Sequence, residues 1–254
     1  MDLKKSKYIL PNLFTLASVF FGLLAVFACM PGTDDGFRRA AIAILIAMAA
    51  DGLDGRVARM TRTATRFGVQ LDSLADVLSF GMAPAVLAYT MALSHLDRSL
   101  PWGAVLAFLF TACGALRLAR FNLESDAAKK PSTTFTGLPI PAAAVTVALL
   151  AWAFVDMDVV PAARLALLAG VMPALALLMV STVRYPNFKH VHAGLLGRVA
   201  MLLFIAAVIV LAWRTRASVV LLALDVTYIV LGPASFVVRL ASRLVRRGQD
   251  RTNG

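Results

Sequence analysis

Four aspartates stand close together in an otherwise strongly apolar chain. The stretch from Asp51 to Asp76 reads DGLDGRVARMTRTATRFGVQLDSLAD. Asp51 and Asp54 are three residues apart, and Asp72 and Asp76 are four apart. On helices both spacings put the paired side chains on one face. Two helical segments that present such pairs toward one another make a hard-cation site, and oxygen-only donors suit Mg2+ or Mn2+ rather than zinc. Gly52 and Gly55 remove side chains beside the acids, so a phosphate or nucleotide can approach the backbone closely. Gly68, one turn before Asp72, gives the same clearance on the facing segment. Arg59, one turn past Gly55, is placed to pair with a phosphate oxygen. Acids, glycines and an arginine together point to a metal-bound diphosphate and to phosphoryl transfer. A calcium EF-hand loop is excluded, because the bidentate acid at its twelfth position is missing. The plainer alternative, two helix ends with solvated acids, would suit one aspartate better than four at these spacings.

The elements that must carry these residues are membrane helices. The chain has 254 residues, of which 60% are hydrophobic and only 15% charged, against roughly 25% charged in soluble domains. Apolar runs recur along its whole length, which predicts an all-α, polytopic membrane bundle of about eight transmembrane helices. The predicted spans are Tyr8–Met30, Phe37–Ala50 (continuing into Asp51–Arg59), Phe67–Leu93 with Pro84 as a kink, Trp102–Phe121, Leu138–Phe154, Arg164–Val183, Leu195–Trp213 and Ser218–Leu240. The first resembles a signal peptide, but its length favours an uncleaved span. The basic tail RLVRRGQDRTNG is expected to fray. Nineteen of the 25 lysines and arginines fall on the side that holds both termini. The positive-inside rule therefore places the termini and the acidic stretch in the cytoplasm.

A net charge of +11 raises the question of nucleic acid. The basic residues sit in the short connections, and no basic stripe is interleaved with aromatics, so nucleic-acid binding is excluded. Cys29 and Cys113 are read as small buried hydrophobes. His190 and His192 lie in a basic connection without carboxylates and read as loop residues. Four acids in a membrane would also serve an ion-coupled transporter. That reading predicts acids at mid-span and a related second half, and neither feature is present.

Other polar groups lie at span ends on the same side. Asn12 and Thr15 share a face of the first span and can offer hydrogen bonds to a headgroup. Arg117 and Arg120 are three apart at the end of the fourth span, with Asn122 beside them, and can grip an anion. Arg184 and Lys189 add positive charge, and Gly137-Leu138-Pro139 forms a turn. Topology alone also explains each arginine as an anchor for a span end.

The acidic stretch resembles the signature of the CDP-alcohol phosphatidyltransferases: D-x2-D-G-x2-A-R, eight residues, then G-x3-D-x3-D. Asp51, Asp54, Gly55, Ala58, Arg59, Gly68, Asp72 and Asp76 all fall on it without a gap. The resemblance implies a membrane-embedded six-helix core over residues 1–190, with two further helices and the basic tail over residues 191–254. It implies a homodimer in the cell (inner) membrane with its site at the cytoplasmic face. It also implies that Asp51, Asp54, Asp72 and Asp76 surround two divalent ions, Mg2+ or Mn2+. Asp76 would be the general base, while Gly55, Ala58, Arg59 and Gly68 hold the CDP group of CDP-diacylglycerol, with Asn12 and Thr15 close by. The segments RLARFN (Arg117–Asn122), FTGLPIPAA (Phe135–Ala143) and STVRYPNFK (Ser181–Lys189) are similar to those of the integral-membrane phosphatidylserine synthases. That similarity implies L-serine as acceptor, bound by Arg117, Arg120, Asn122, Arg184 and Lys189. Sister enzymes that use glycerol 3-phosphate or an inositol phosphate would also welcome these cations.

Overall fold

The computed structural model describes residues 3–61, 65–127, 134–186, 211 and 214–252 of the chain. These form helices α1 (Leu3–Cys29), α2 (Asp34–Thr61), α3 (Arg66–Asp76), α4 (Ala83–Met91), α5 (Trp102–Ala127), α6 (Ile140–Asp156), α7 (Pro161–Val180) and α8 (Ala217–Thr252). A π-helical turn, Val77–Met82, joins α3 to α4, and a short 3-10 turn, Leu93–Leu96, follows α4. Strands β1 (Thr134–Thr136) and β2 (Arg184–Pro186) form a small antiparallel ladder with Phe135 opposite Tyr185.

Local chemistry sets the helix starts. The Thr33 hydroxyl accepts a hydrogen bond from the Gly36 backbone N–H, and Asp34 and Asp35 occupy the first turn of α2, where acids complement the helix dipole. Thr65 caps α3 by accepting from the Gly68 N–H at 3.0 Å. Asp97 accepts from the Gly103 N–H at 2.6 Å in the first turn of α5. Prolines stand in the first turns of α6 and α7, where a missing N–H costs nothing.

Five of these segments are long and apolar enough to cross a membrane: Asn12–Cys29, Phe67–Met91, Trp102–Glu124, Pro161–Val180 and Ala217–Ala234. The protein is thus an all-α, multi-pass membrane protein. Of the other predicted spans, α2 contains the second within a helix charged at both ends. The fifth is α6, 17 residues long, or about 26 Å at 1.5 Å per residue. The seventh lies outside the described residues. The basic tail, expected to fray, instead continues α8 to Thr252. Arginines near a helix C-terminus favour that ending through the dipole.

Helix α6 is the centre of the bundle and packs against α2, α4, α7 and α8. Its alanines Ala143, Ala144, Ala148, Ala151 and Ala153 are all buried, and small side chains let neighbouring backbones come close. Phe80, Phe110, Ile44, Leu168 and Met172 fill the space around it.

Pro84 was expected to kink the third span, and the structure shows how the chain accommodates it. The Ala83 N–H bonds back to the Leu78 carbonyl, five residues earlier. Proline has no N–H to continue the usual ladder, so a wider turn precedes it.

At the end of the bundle away from the acidic stretch, two ion pairs and a hydrogen bond tie four helices together. Arg164 holds Asp34 with both terminal guanidinium nitrogens, at 2.6 and 3.3 Å. Asp156 accepts from Arg38 at 3.0 Å and from Ser218 at 2.6 Å. The hydrogen bond from Arg164 holds the Asp34 carboxyl below its ordinary pKa, against a smaller opposing effect of burial. A carboxyl lowered in the folded state contributes stability above its unfolded value, and that contribution is lost as pH falls through the folded value. Thermal unfolding in detergent is therefore expected to show an acid-side loss of stability below about pH 4 that is smaller in Asp34→Asn. An unchanged acid limb would deny Asp34 this role.

Candidate active site

The acidic stretch folds as its spacing requires. Asp51 and Asp54 stand on α2, and Asp72 and Asp76 on α3, with the helices joined at the site end of the bundle. One carboxylate oxygen from each of Asp51, Asp72 and Asp76 lies within 4.8 Å of the others. Asp54 is 4% exposed and Asp76 8%. Asp54 Oδ2 accepts a 2.7 Å hydrogen bond from the Thr15 hydroxyl, so α1 clasps the fourth acid.

Asp51 Oδ1 and Asp76 Oδ1 are buried and accept no hydrogen bond among the described residues. Two carboxylates facing each other as acceptors repel, and burial removes the water that would screen them. A divalent cation resolves both problems at once. The donors present are all carboxylate oxygens, which is the set a hard cation takes. The cluster fits a divalent metal.

The surroundings suit a phosphate-bearing group. Gly52 faces open space, with nothing within 4 Å of where a Cβ would stand. A Cβ on Gly68 would lie 3.3 Å from the Thr65 hydroxyl and 3.7 Å from Asn12 Oδ1. Asn12 on α1 and Gly68 on α3 therefore stand side by side. Gly55 lies on α2, one residue past Asp54. The side chains of Ala58, Arg59 and Arg184, and all of Lys189, lie outside the described residues.

The two arginines of α5 have different surroundings. Arg120 donates to the carbonyls of Val180 (3.0 Å), Thr136 (3.0 Å) and Ser181 (3.2 Å). Its guanidinium fastens β1 and the end of α7 to α5. Arg117 is 6% exposed, and its Nε has no hydrogen-bond partner among the described residues. Its guanidinium lies 5.3 Å from the Phe121 ring centroid. Asn122 donates to the Ser73 hydroxyl at 2.8 Å, beside Asp72. Gly137 adopts a φ of +79° and donates its N–H to the Val183 carbonyl at 2.8 Å. The turn beneath Arg120 is thus built on glycine.

Three polar residues near this region were not anticipated. Ser73 holds Asn122. On α8, Asp225 accepts from the Thr146 hydroxyl at 2.6 Å, and Tyr228 packs against the buried core. Asp225 carried a readable signal, since an acid inside an apolar span is a functional candidate in its own right. Tyr228 carried none.

The chain is a helical membrane bundle with paired acids on adjoining helices. Over residues 8–180 the chain matches the CDP-alcohol phosphatidyltransferase family, and it belongs to that family. Among curated relatives it is similar to the CDP-diacylglycerol–serine O-phosphatidyltransferase of Helicobacter pylori, 39% identical over 203 residues, which cover 80% of this chain and 82% of the relative. The enzyme of the same name from Bacillus subtilis is 34% identical over 186 residues, covering 73% of this chain and 93% of the relative. The archaetidylserine synthase of Methanothermobacter thermautotrophicus is 35% identical over 198 residues, covering 76% of each.

Proposed function

We propose that the chain transfers the phosphatidyl group of CDP-diacylglycerol to L-serine and releases CMP. The observation that carries this reading is the cluster of Asp51, Asp72 and Asp76 with orphaned buried oxygens, in a chain whose relatives are named for serine as acceptor.

Asp51, Asp54, Asp72 and Asp76 would hold the metal, Mg2+ or Mn2+ and two ions by the family signature. When bound, it neutralises the diphosphate and the charge that builds on departing CMP. The chain's own residues do the rest. Gly55 and Gly68 leave room for the diphosphate, and by the family signature Ala58 and Arg59, with Asn12, would bind CDP-diacylglycerol. Thr15 fixes the Asp54 carboxylate. Asp76 takes the proton of the serine hydroxyl as that oxygen bonds to the β-phosphorus. The bond from that phosphorus to the CMP oxygen breaks, and CMP leaves with the electron pair.

Arg117 is the cation in position for the serine carboxylate, because its Nε is not committed to the fold. Arg120 is tied to backbone carbonyls, and its contribution comes through the turn it holds. The family resemblance assigns Asn122 to the acceptor as well, together with Arg184 and Lys189. The protein works as a homodimer in the inner membrane, with the site and both termini facing the cytoplasm. Lipid tails stay in the bilayer while serine and nucleotide exchange with water.

Purified protein supplied with CDP-diacylglycerol and Mg2+ or Mn2+ is expected to release CMP with L-serine, and not with glycerol 3-phosphate or inositol phosphate. Release with glycerol 3-phosphate alone would overturn the serine assignment.

A further inference from the structure

We infer that α8, which lies beyond the residues that match the family, is a working part of the acceptor side, with Asp225 as the positioning residue that seats it. The identity of the acceptor rests on the serine reading above; the seat itself does not.

Two hydrogen bonds seat α8 on α6. The Ser218 hydroxyl donates to Asp156 Oδ2 at 2.6 Å, at the end of the bundle away from the acidic stretch. Asp225 Oδ2 accepts from the Thr146 hydroxyl, also at 2.6 Å. Asp156 follows Thr146 in α6 whereas Ser218 precedes Asp225 in α8, so the two helices run antiparallel. Two turns of helix separate Ser218 from Asp225, and Ile229 follows one turn further on. The three share one face of α8, on which Ser218 and Ile229 are buried. Asp225 lies inside Ala217–Ala234, a stretch long and apolar enough to cross a membrane. A carboxyl group there is costly unless it has a partner. Thr146, buried in α6, supplies that partner. The two bonds together fix both the height and the rotation of α8.

The helix so fixed is packed against β2. Strand β2 pairs with β1 alone among the described residues, and a two-stranded ladder is marginally stable without something packed on it. From the other side the ladder is tied to α5, where Arg120 donates to the Thr136 carbonyl at 3.0 Å. The Gly137 N–H adds a bond to the Val183 carbonyl at 2.8 Å. Strand β2 lies within Ser181–Lys189, one of the segments that the resemblance gives to the acceptor. Arg120 and α8 thus support the same ladder from two directions. The four acids stand instead on α2 and α3, whereas α8 is seated on α6 and β2. Loosening α8 therefore acts on the acceptor segment and leaves the nucleotide side in place.

The test compares Asp225→Ala and Asp225→Asn in the full-length enzyme, with kcat, KM for serine and KM for CDP-diacylglycerol measured separately. Amide hydrogen exchange is followed on the same samples over residues 134–136 and 184–186. Asp225→Ala is expected to raise KM for serine roughly two- to thirtyfold, the range for residues that act on a site through packed intermediates. KM for CDP-diacylglycerol is expected to stay unchanged, and exchange to quicken at the ladder but not in α2 and α3. Asparagine keeps a polar partner for Thr146, so Asp225→Asn is expected to restore both readouts. An unchanged serine KM in Asp225→Ala overturns the inference. So does a parallel loss in all three constants, which would mark a purely structural role, and so does an Asp225→Asn enzyme no better than Asp225→Ala. If Asp225→Ala does not fold, Thr146→Val removes the same bond from the other helix and is judged by the same outcomes. Wild-type enzyme that ignores serine fails the functional reading, while the exchange measurement still decides whether Asp225 holds the ladder. Serine-dependent wild type with unaltered exchange and serine KM in the variants fails the inference alone.

Discussion

Asp76→Asn is expected to reduce CMP release by about 10^3-fold or more while CDP-diacylglycerol still binds. The substitution keeps the size and shape of the side chain but replaces a proton acceptor with an amide. General-base catalysis contributes roughly 10^2- to 10^4-fold, and here one cluster oxygen is lost as well. Asp76 is 8% exposed, and its Oδ1 has no hydrogen-bond partner among the described residues. Asp51, Asp54 and Asp72 would remain to hold the metal that neutralises the diphosphate. The comparison requires two measurements on the same sample: CMP release with serine, and binding of CDP-diacylglycerol in serine's absence. Near-normal release would remove Asp76 from the reaction. Loss of binding together with release would make it a ligand of the metal and nothing more.

The second large effect is expected at Gly137, on stability. Its φ of +79° lies in the left-handed region, and a Cβ there would run into the Met179 carbonyl oxygen and come within 2.9 Å of Arg120 Nη2. Valine at such a position combines backbone strain with a clash against main chain that cannot move aside. Gly137→Val is expected to lower stability by about 3 kcal/mol or more, read as a lower thermal midpoint in detergent. Because the intruding methyl groups also displace Arg120, the ties from α5 to β1 and α7 fail together. Retention of the wild-type midpoint would show that the turn relaxes without cost, against the geometry described.

These two residues differ in how far the sequence announces them. The Asp76 position is legible because helical periodicity is local: spacings of three and four put acids on one face whatever the rest of the chain does. The spans are legible for a similar reason, since apolar length alone fits them to a bilayer. Gly137 is legible only as a turn; its conflict with Met179 and Arg120 depends on where α7 and α5 come to rest. Arg117 and Arg120 carry equal charge three residues apart, yet one is engaged by three carbonyls and the other has a buried nitrogen with no hydrogen-bond partner among the described residues. No local pattern separates them, because the carbonyls belong to segments sixteen to sixty-one residues away. The Thr15–Asp54 contact spans thirty-nine residues and is equally invisible to spacing. Thr15 reads as a headgroup donor in the sequence and stands in the structure as the clasp on an acid.

The π-helical turn at Val77–Met82 has a consequence for how the molecule can vary. A wider turn adds a residue relative to an α-helix, and one residue amounts to a rotation of about 100°. The turn therefore acts as a phase shift between α3, which is read from the site side, and α4, whose Ala83, Ala85, Leu87 and Ala88 are read by the core. Without it, any change in the direction of Asp72 and Asp76 would swing the buried face of α4 by the same angle. With it, the direction of the acids and the packing of the bundle are set independently. One continuous span can then hold a reactive cluster and a close-packed interior without compromise between them.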